Sequence, residues 1–298
     1  MSTVAYETVD VFTDRPFAGN QLAVVFGGEN LATDQMQALT REFNFSETVF
    51  LLPPTVPGAT YRVRIFTPES EIPFAGHPSV GAAVTGMRHG LFPPGELVQE
   101  CGAGLLPVTV TAAGTATLTG ATPRLGDPLD PAPLLTAAGL TAADYAGDQD
   151  AVPRMAGCGL DWVFLPVRRE ALPRVRIDPR LPDTQGFCDI AVVSWSPDSR
   201  NGFTGEAYAR VFTAGGAVPE DPATGSAALA LGVWLVAGGR LPADGTSTYR
   251  IHQGIEMKRP SRLDCTVTAT AGAATSATVT GPVQPVAEGR IVVPPFIG

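Results

Sequence analysis

Arg64-Ile65-Phe66-Thr67, leading to Pro73-Phe74-Ala75-Gly76-His77-Pro78-Ser79-Val80-Gly81-Ala82-Ala83, has an echo in the second half of the chain. The echo is Arg210-Val211-Phe212-Thr213, leading to Pro219-Glu220-Asp221-Pro222-Ala223-Thr224-Gly225-Ser226-Ala227-Ala228. At the one offset that carries residue 64 onto 210, Phe66 meets Phe212, Thr67 meets Thr213 and Pro73 meets Pro219 without a gap. Each copy reads as a strand, a Pro/Gly-rich turn, and a helix that starts just after the turn. The pair marks a duplicated half-chain, with the two glycine turns as the two walls of one site.

The helices behind the turns set the architecture. Ser226 to Ala237 has no polar face beyond its start, Val80 to Met87 is nearly as bare, and both are crowded with Ala and Gly. A helix that is apolar all round is enclosed on every side, and small residues let the enclosing backbone come close. Short alternating stretches flank both helices, among them Tyr6 to Phe12, Leu22 to Phe26, Phe45 to Leu52, Tyr61 to Phe66, Asp189 to Trp195 and Ala207 to Phe212. Their period of two is that of strands. The expected fold is α+β: two pseudo-symmetric halves, each a strongly curved, mostly antiparallel sheet wrapped around a central apolar helix. Pro123 to Pro133, rich in Pro, Asp and Gly, serves as the boundary. It gives halves 1–122 and 123–285, with 286–298 as a strand able to complete the first half and an active-site cleft between them. Finer expectations are a helix from Asp34 capped by Thr33, Pro78 at a first helical position, and a helix from Pro133 to Tyr145. Ser276 to Thr280 and Arg290 to Val293 are read as separate strands.

Composition narrows the partners. The 298 residues are 44% hydrophobic, and 29 acidic against 20 basic side chains leave a net charge of −9. With no basic run, nucleic acid and anionic membranes are unfavourable partners. No apolar run approaches the ~18 residues of a membrane span, and Met1 to Val11 carries Glu7 and Asp10, unlike a secretory leader. Cys101, Cys158, Cys188 and Cys265 are scattered without C-x-x-C spacing, and His77, His89 and His252 lie far apart. That pattern fits neither zinc nor a disulfide framework. The expectation is a cytoplasmic protein with reduced thiols and no metal.

Helix starts present free N–H groups and a partial positive charge, which suits a carboxylate, and Gly76 and Gly225 let that backbone approach a ligand. Glu47, between Phe45 and Phe50, admits two readings. It is an edge-strand carboxylate facing water, the common state of Glu, or a buried one whose pKa rises toward neutrality and which serves as acid/base. Asp221 and Ser226 read as turn and first-turn residues or as site residues. His77 is a cap or a proton carrier. Asn20 and Cys158 fall at matching points of the two halves. No phosphate loop, dinucleotide fingerprint, nucleophile elbow or metal spacing is present. Acid/base chemistry without a cofactor remains, or binding without chemistry.

Phe17-Ala18-Gly19-Asn20, Asn44-Phe45-Ser46-Glu47-Thr48-Val49-Phe50, Pro73-Phe74-Ala75-Gly76-His77-Pro78 and Glu220-Asp221-Pro222-Ala223-Thr224-Gly225-Ser226-Ala227 resemble motifs of the phenazine-biosynthesis PhzF-like isomerases. Gln253-Gly254 and Arg259-Pro260-Ser261 add to the resemblance, which spans nearly the whole chain in order. It implies a diaminopimelate-epimerase-like fold, a homodimer, no cofactor, and a proton-transfer isomerisation like that of a dihydro-hydroxyanthranilate. It also implies Glu47 as the catalytic acid/base, supported by His77, Asp221 and Ser226. Asn20, Ser46, Gly76, Thr224 and Gly225 are then the residues holding a small carboxylate-bearing substrate. Related amino-acid epimerases carry a cysteine in each glycine turn; here neither turn has one, which excludes a two-thiol racemase. Gln21 and Ser79 depart from the family's more usual proline and threonine. The open alternatives are an epimerase or racemase of another small acid and a non-catalytic small-acid binding protein.

Overall fold

A computed structural model describes residues 2–177, 189–197, 202–213 and 219–295. Cys188 and residues 296–298 of the expected last strand lie outside the described residues, as do 214–218 within the second quoted stretch. The fold is mixed α+β, mostly sheet with few helices. It divides into two compact units, one reaching Thr119 and resuming at Thr280, the other running from Gly120 to Val279.

In the first unit, β1 (Thr3–Val11) is antiparallel to β2 (Asn20–Phe26), and β2 is parallel to β3 (Thr48–Leu52). Strand β3 is antiparallel to β4 (Tyr61–Phe66), which pairs with the two-residue β5 (Glu71–Ile72) and, in parallel, with β6 (Gly95–Cys101). Antiparallel β7 (Gly104–Val110) and β8 (Thr115–Thr119) follow. Helix α1 (Thr33–Phe43) sets Met36 and Leu39 in a cluster with Val25, Phe50 and Phe66. Helix α2 (Gly76–Arg88) is buried throughout residues 76–86 and packs on β1, β2, β3, β4, β7 and β8. Its small residues are what the packing requires: a Cβ on Gly81 would lie 2.3 Å from Leu22 Cδ2.

In the second unit, β9 (Arg124–Pro128) pairs with β10 (Arg154–Gly157), and β10 with β11 (Asp161–Pro166), both antiparallel. Strand β11 is parallel to β12 (Asp189–Ser196), which is antiparallel to β13 (Gly205–Thr213). Strand β13 pairs with the two-residue β14 (Glu220–Asp221) and, in parallel, with β15 (Gly245–Gln253); antiparallel β16 (Ser261–Thr270) completes the series. From β10 to β16 the order of pairings repeats that of β1 to β7. Helix α3 (Pro131–Ala137) lies on β11, and α4 (Gly225–Ala237), buried from Gly225 to Val236, packs on β9, β10, β11 and β16.

Several expectations need correction. Ala32, not Thr33, caps α1, and Thr33 Oγ1 instead accepts a 3.0 Å bond from Arg64 Nη2. Pro78 is the third residue of α2, not the first, a place where the backbone N–H still lacks an intrahelical partner. The helix expected from Pro133 to Tyr145 stops at Ala137, because Gly139 turns the chain at φ +66°, and only a 3₁₀ turn, Ala142–Asp144, follows. The Pro-rich stretch 123–133 contains β9. The two separate C-terminal strands are one, β17 (Ala273–Val292), paired from Val283 onward with β1.

The gapless alignment also fails past its strands. Phe66 stands opposite Glu71, but Phe212 stands opposite Glu220, so the second loop is three residues longer. Arg64 grips Glu71 and Arg210 grips Glu220, each with Nε at 2.7 Å, and each guanidinium lies 5.1 Å from the ring of its neighbouring Phe66 or Phe212. The register matches Pro73 with Pro222 rather than Pro219, Gly76 with Gly225, and His77 with Ser226.

Candidate active site

Glu47 is not in a strand. Asn44 adopts φ +54° and ends α1, a bend carries the chain through Phe45 and Ser46, and Glu47 arrives immediately before β3. Because β3 runs parallel to β2 in this unit, Glu47 comes beside the start of β2, where Asn20 sits. The loop ahead of Asn20 is tightly specified. Gly19 has φ +67°, and a Cβ there would lie 2.3 Å from the Val11 carbonyl oxygen; buried Asp10 accepts a 2.6 Å bond from the Phe17 N–H.

Four of the expected residues meet here. Ser46 Oγ donates to Asn20 Oδ1 at 3.4 Å, and Asn20 Nδ2 lies 3.2 Å from His77 Nδ1. Since the amide oxygen takes the serine hydroxyl, the amide N–H faces the imidazole, and Nδ1 must accept. The proton of neutral His77 is thereby held on Nε2, which lies 3.7 Å from Glu47 Oε2. That carboxylate oxygen is buried and makes no hydrogen bond, while 19% of the side chain as a whole stays accessible. Burial pushes the Glu47 carboxyl from an ordinary 4.5 up to about 7, against the Ser46 hydroxyl, which favours the charged form. His77 is the second residue of α2, and Gly76 is its first; both are buried.

The other expected residues form a set in the second unit. Thr224 caps α4, yet its hydroxyl accepts no bond from the helix N–H groups and donates to Asp221 Oδ2 at 2.6 Å. Gln253 locks this corner: its Nε2 reaches the Asp221 carbonyl (2.7 Å) and Thr224 Oγ1 (2.9 Å), and its Oε1 accepts from the Thr224 N–H (3.2 Å). Next to it, Gly254 at φ +72° admits no side chain, since a Cβ would lie 2.4 Å from the Arg259 carbonyl oxygen. Ser226, second in α4, accepts a 3.2 Å bond from Trp162 Nε1 on β11. The indole takes an acceptor position of Ser226 Oγ, which leaves its proton to donate elsewhere. In each unit, then, an N–H from the strand after the first hairpin turn fixes the second helical residue: Asn20 on His77, Trp162 on Ser226.

Gln253 and Trp162 carry no signal in the sequence that assigns them these contacts, although Gln253 stands in a motif. Cys158, matched with Asn20 by position, joins neither set; burial pushes its thiol up to about 11, so it stays protonated. His89 bonds buried Glu7 at 2.6 Å, and His252 lies 3.2 Å from Glu206. Among the described residues no group of three or more His, Cys, Asp or Glu side chains is placed to hold a metal, and no helix is long and apolar enough to cross a membrane.

The sequence profile of the family described as "Phenazine biosynthesis-like protein" matches residues 9–289. The chain is 36% identical to an uncharacterized isomerase of Mesorhizobium japonicum, over 98% of this chain and 100% of that one. It is 31% identical to the trans-2,3-dihydro-3-hydroxyanthranilate isomerase of Pseudomonas aeruginosa, over 96% and 98% of the two chains. Among solved structures, a predicted epimerase of Pseudomonas aeruginosa superposes with a TM-score of 0.79 at 34% identity, over 98% of this chain and 100% of that one.

Proposed function

Because the chain belongs to the phenazine biosynthesis-like (PhzF) family and is an isomerase, we propose that it catalyses a cofactor-independent proton shift on a small carboxylate-bearing substrate. Glu47 is the general acid/base. The observation that carries this reading is a buried, unbonded carboxylate oxygen 3.7 Å from His77 Nε2, on a carboxyl whose burial pushes its ionisation up to about 7. A carboxyl so placed both takes and returns a proton near neutrality.

The ionised Glu47 removes a proton from carbon, and the electron pair moves into the conjugated system of the substrate. Protonated Glu47 then returns the proton to a second carbon, so the double bond shifts and nothing is gained or lost. His77 and Asp221 position the reacting groups or relay protons. Asn20, Ser46, Thr224, Ser226 and the N–H groups at Gly76 and Gly225 hold the substrate, its carboxylate falling to Ser226 and the helix starts. The same proposal includes two pseudo-symmetric halves wound about α2 and α4, supported by the repeated order of pairings, a homodimer, and a cytoplasmic setting. The likeness to a predicted epimerase of P. aeruginosa favours a second reading, an epimerase, in which the proton returns to the carbon it left; chiral analysis of product separates the two.

The test is the pH dependence of kcat/KM on trans-2,3-dihydro-3-hydroxyanthranilate and a panel of small unsaturated acids. As the base must be ionised, the rate rises with pH and is half-maximal at about 7. A half-maximal rate near 4.5, or no acid limb, contradicts Glu47 as a buried base.

A further inference from the structure

The unit of residues 120–279 holds a cavity of about 530 Å³, a size that takes small organic ligands. It is separate from the candidate site. Trp234, Gly239 and Arg240 line it at the C-terminal end of α4, whereas Thr224, Gly225 and Ser226 begin that helix. The helix axis puts the two ends roughly 18 Å apart.

The lining is cationic and aromatic. Arg168, Arg169 and Arg240 face one lining carboxylate, Glu170. Arg240 is already paired with Asp148 at 2.5 Å. Among the described residues Arg168 spends only its Nε, on the Ala143 carbonyl at 3.0 Å, which leaves its terminal amino groups uncommitted there. The guanidinium carbon of Arg169 sits over the Tyr208 ring, 3.5 Å from its centroid, a cation–π contact that holds the group in place. Among the described residues neither Arg168 nor Arg169 has an ion pair, in a chain whose net charge is −9. The indoles are rigid walls: Trp195 stands edge-on to Tyr249 at 6.4 Å, and Trp234 Nε1 donates to the Val152 carbonyl at 2.9 Å. At this end of α4 the Trp234, Leu235 and Val236 carbonyls are taken by the N–H groups of Gly238, Arg240 and Gly239, and the arginines oppose the partial negative charge that a helix C-terminus presents.

We propose that this cavity is a second binding site, for a small ring-bearing carboxylate. Arg168 and Arg169 take the carboxylate, as guanidinium groups do in planar two-point contacts, and the ring lies against Trp195.

The chain has three tryptophans, Trp162, Trp195 and Trp234, and they divide between the two ends of α4. The protein is labelled with 5-fluorotryptophan, its resonances are assigned by single Trp→Phe variants, and it is titrated with benzoate and, separately, with inorganic phosphate. Benzoate is expected to move Trp195 saturably, with a smaller shift of Trp234 in step, whether or not it also enters the site at Ser226 and moves Trp162 on a separate curve. Phosphate is expected to bind at least about tenfold more weakly for want of a ring. Arg168→Gln/Arg169→Gln weakens benzoate about tenfold or more, and Arg169→Gln alone serves if the double variant does not fold. The proposal is overturned by shifts confined to Trp162, by phosphate binding as tightly as benzoate, by arginine variants that bind unchanged, or by no saturable shift.

Discussion

Glu47 is the residue on which the account turns, and its burial has a consequence for stability as well as rate. Its carboxyl ionises at about 7 in the folded chain against an ordinary 4.5. The folded state therefore prefers the protonated form: stability is full below about 4.5 and falls as pH rises through about 7. The difference amounts to at most about 3 kcal/mol. Glu47→Gln removes the titration, so denaturant unfolding should find this variant gaining on the parent between pH 5 and pH 8.5; a constant difference across that range contradicts a buried carboxyl. The neighbours Phe45 and Phe50 hinted at burial, but a strand reading could not place Glu47, because it is the left-handed turn at Asn44 that swings it beside Asn20. Gln253 and Trp162 were illegible for a simpler reason. Their partners lie 29 and 64 residues away, and no local pattern records such a contact.

At the scale of elements, the two central helices were readable because enclosure demands a composition. A helix with apolar and small residues on every side has no solvent face, and α2 and α4 are both buried almost end to end. The fit around α4 is close: a Cβ on Gly232 would lie 2.6 Å from the Tyr249 hydroxyl, which donates to the Ala228 carbonyl of the same helix at 2.7 Å. Gly232→Ala is therefore expected to lower stability by about 1–3 kcal/mol through overpacking, despite alanine's better helix propensity. Equilibrium unfolding checks this, and a stabilised variant would show the helix to be loosely held. The duplication was legible in the Arg-x-Phe-Thr strands, where Arg64 and Arg210 make the same contacts. The three-residue extension after Thr213 was not, since the strands' own offset happens to bring Pro73 onto Pro219 and so hides the register that pairs Glu71 with Glu220.

At the scale of the molecule, the order of strand pairings and the family match over residues 9–289 agree that the chain is built as one isomerase rather than as a catalytic part with an unrelated attachment. The net charge of −9 disfavours anionic polymers as partners. The proposed homodimer predicts a sedimentation mass of twice the 31.0 kDa chain; a monomer at micromolar concentration contradicts it. The central claim, that Glu47 carries the proton, is tested most directly in D₂O. With trans-2,3-dihydro-3-hydroxyanthranilate or another turned-over acid, the parent enzyme should place solvent deuterium on product carbon, and folded Glu47→Gln should place none. Deuterium incorporation that survives in Glu47→Gln would contradict the mechanism.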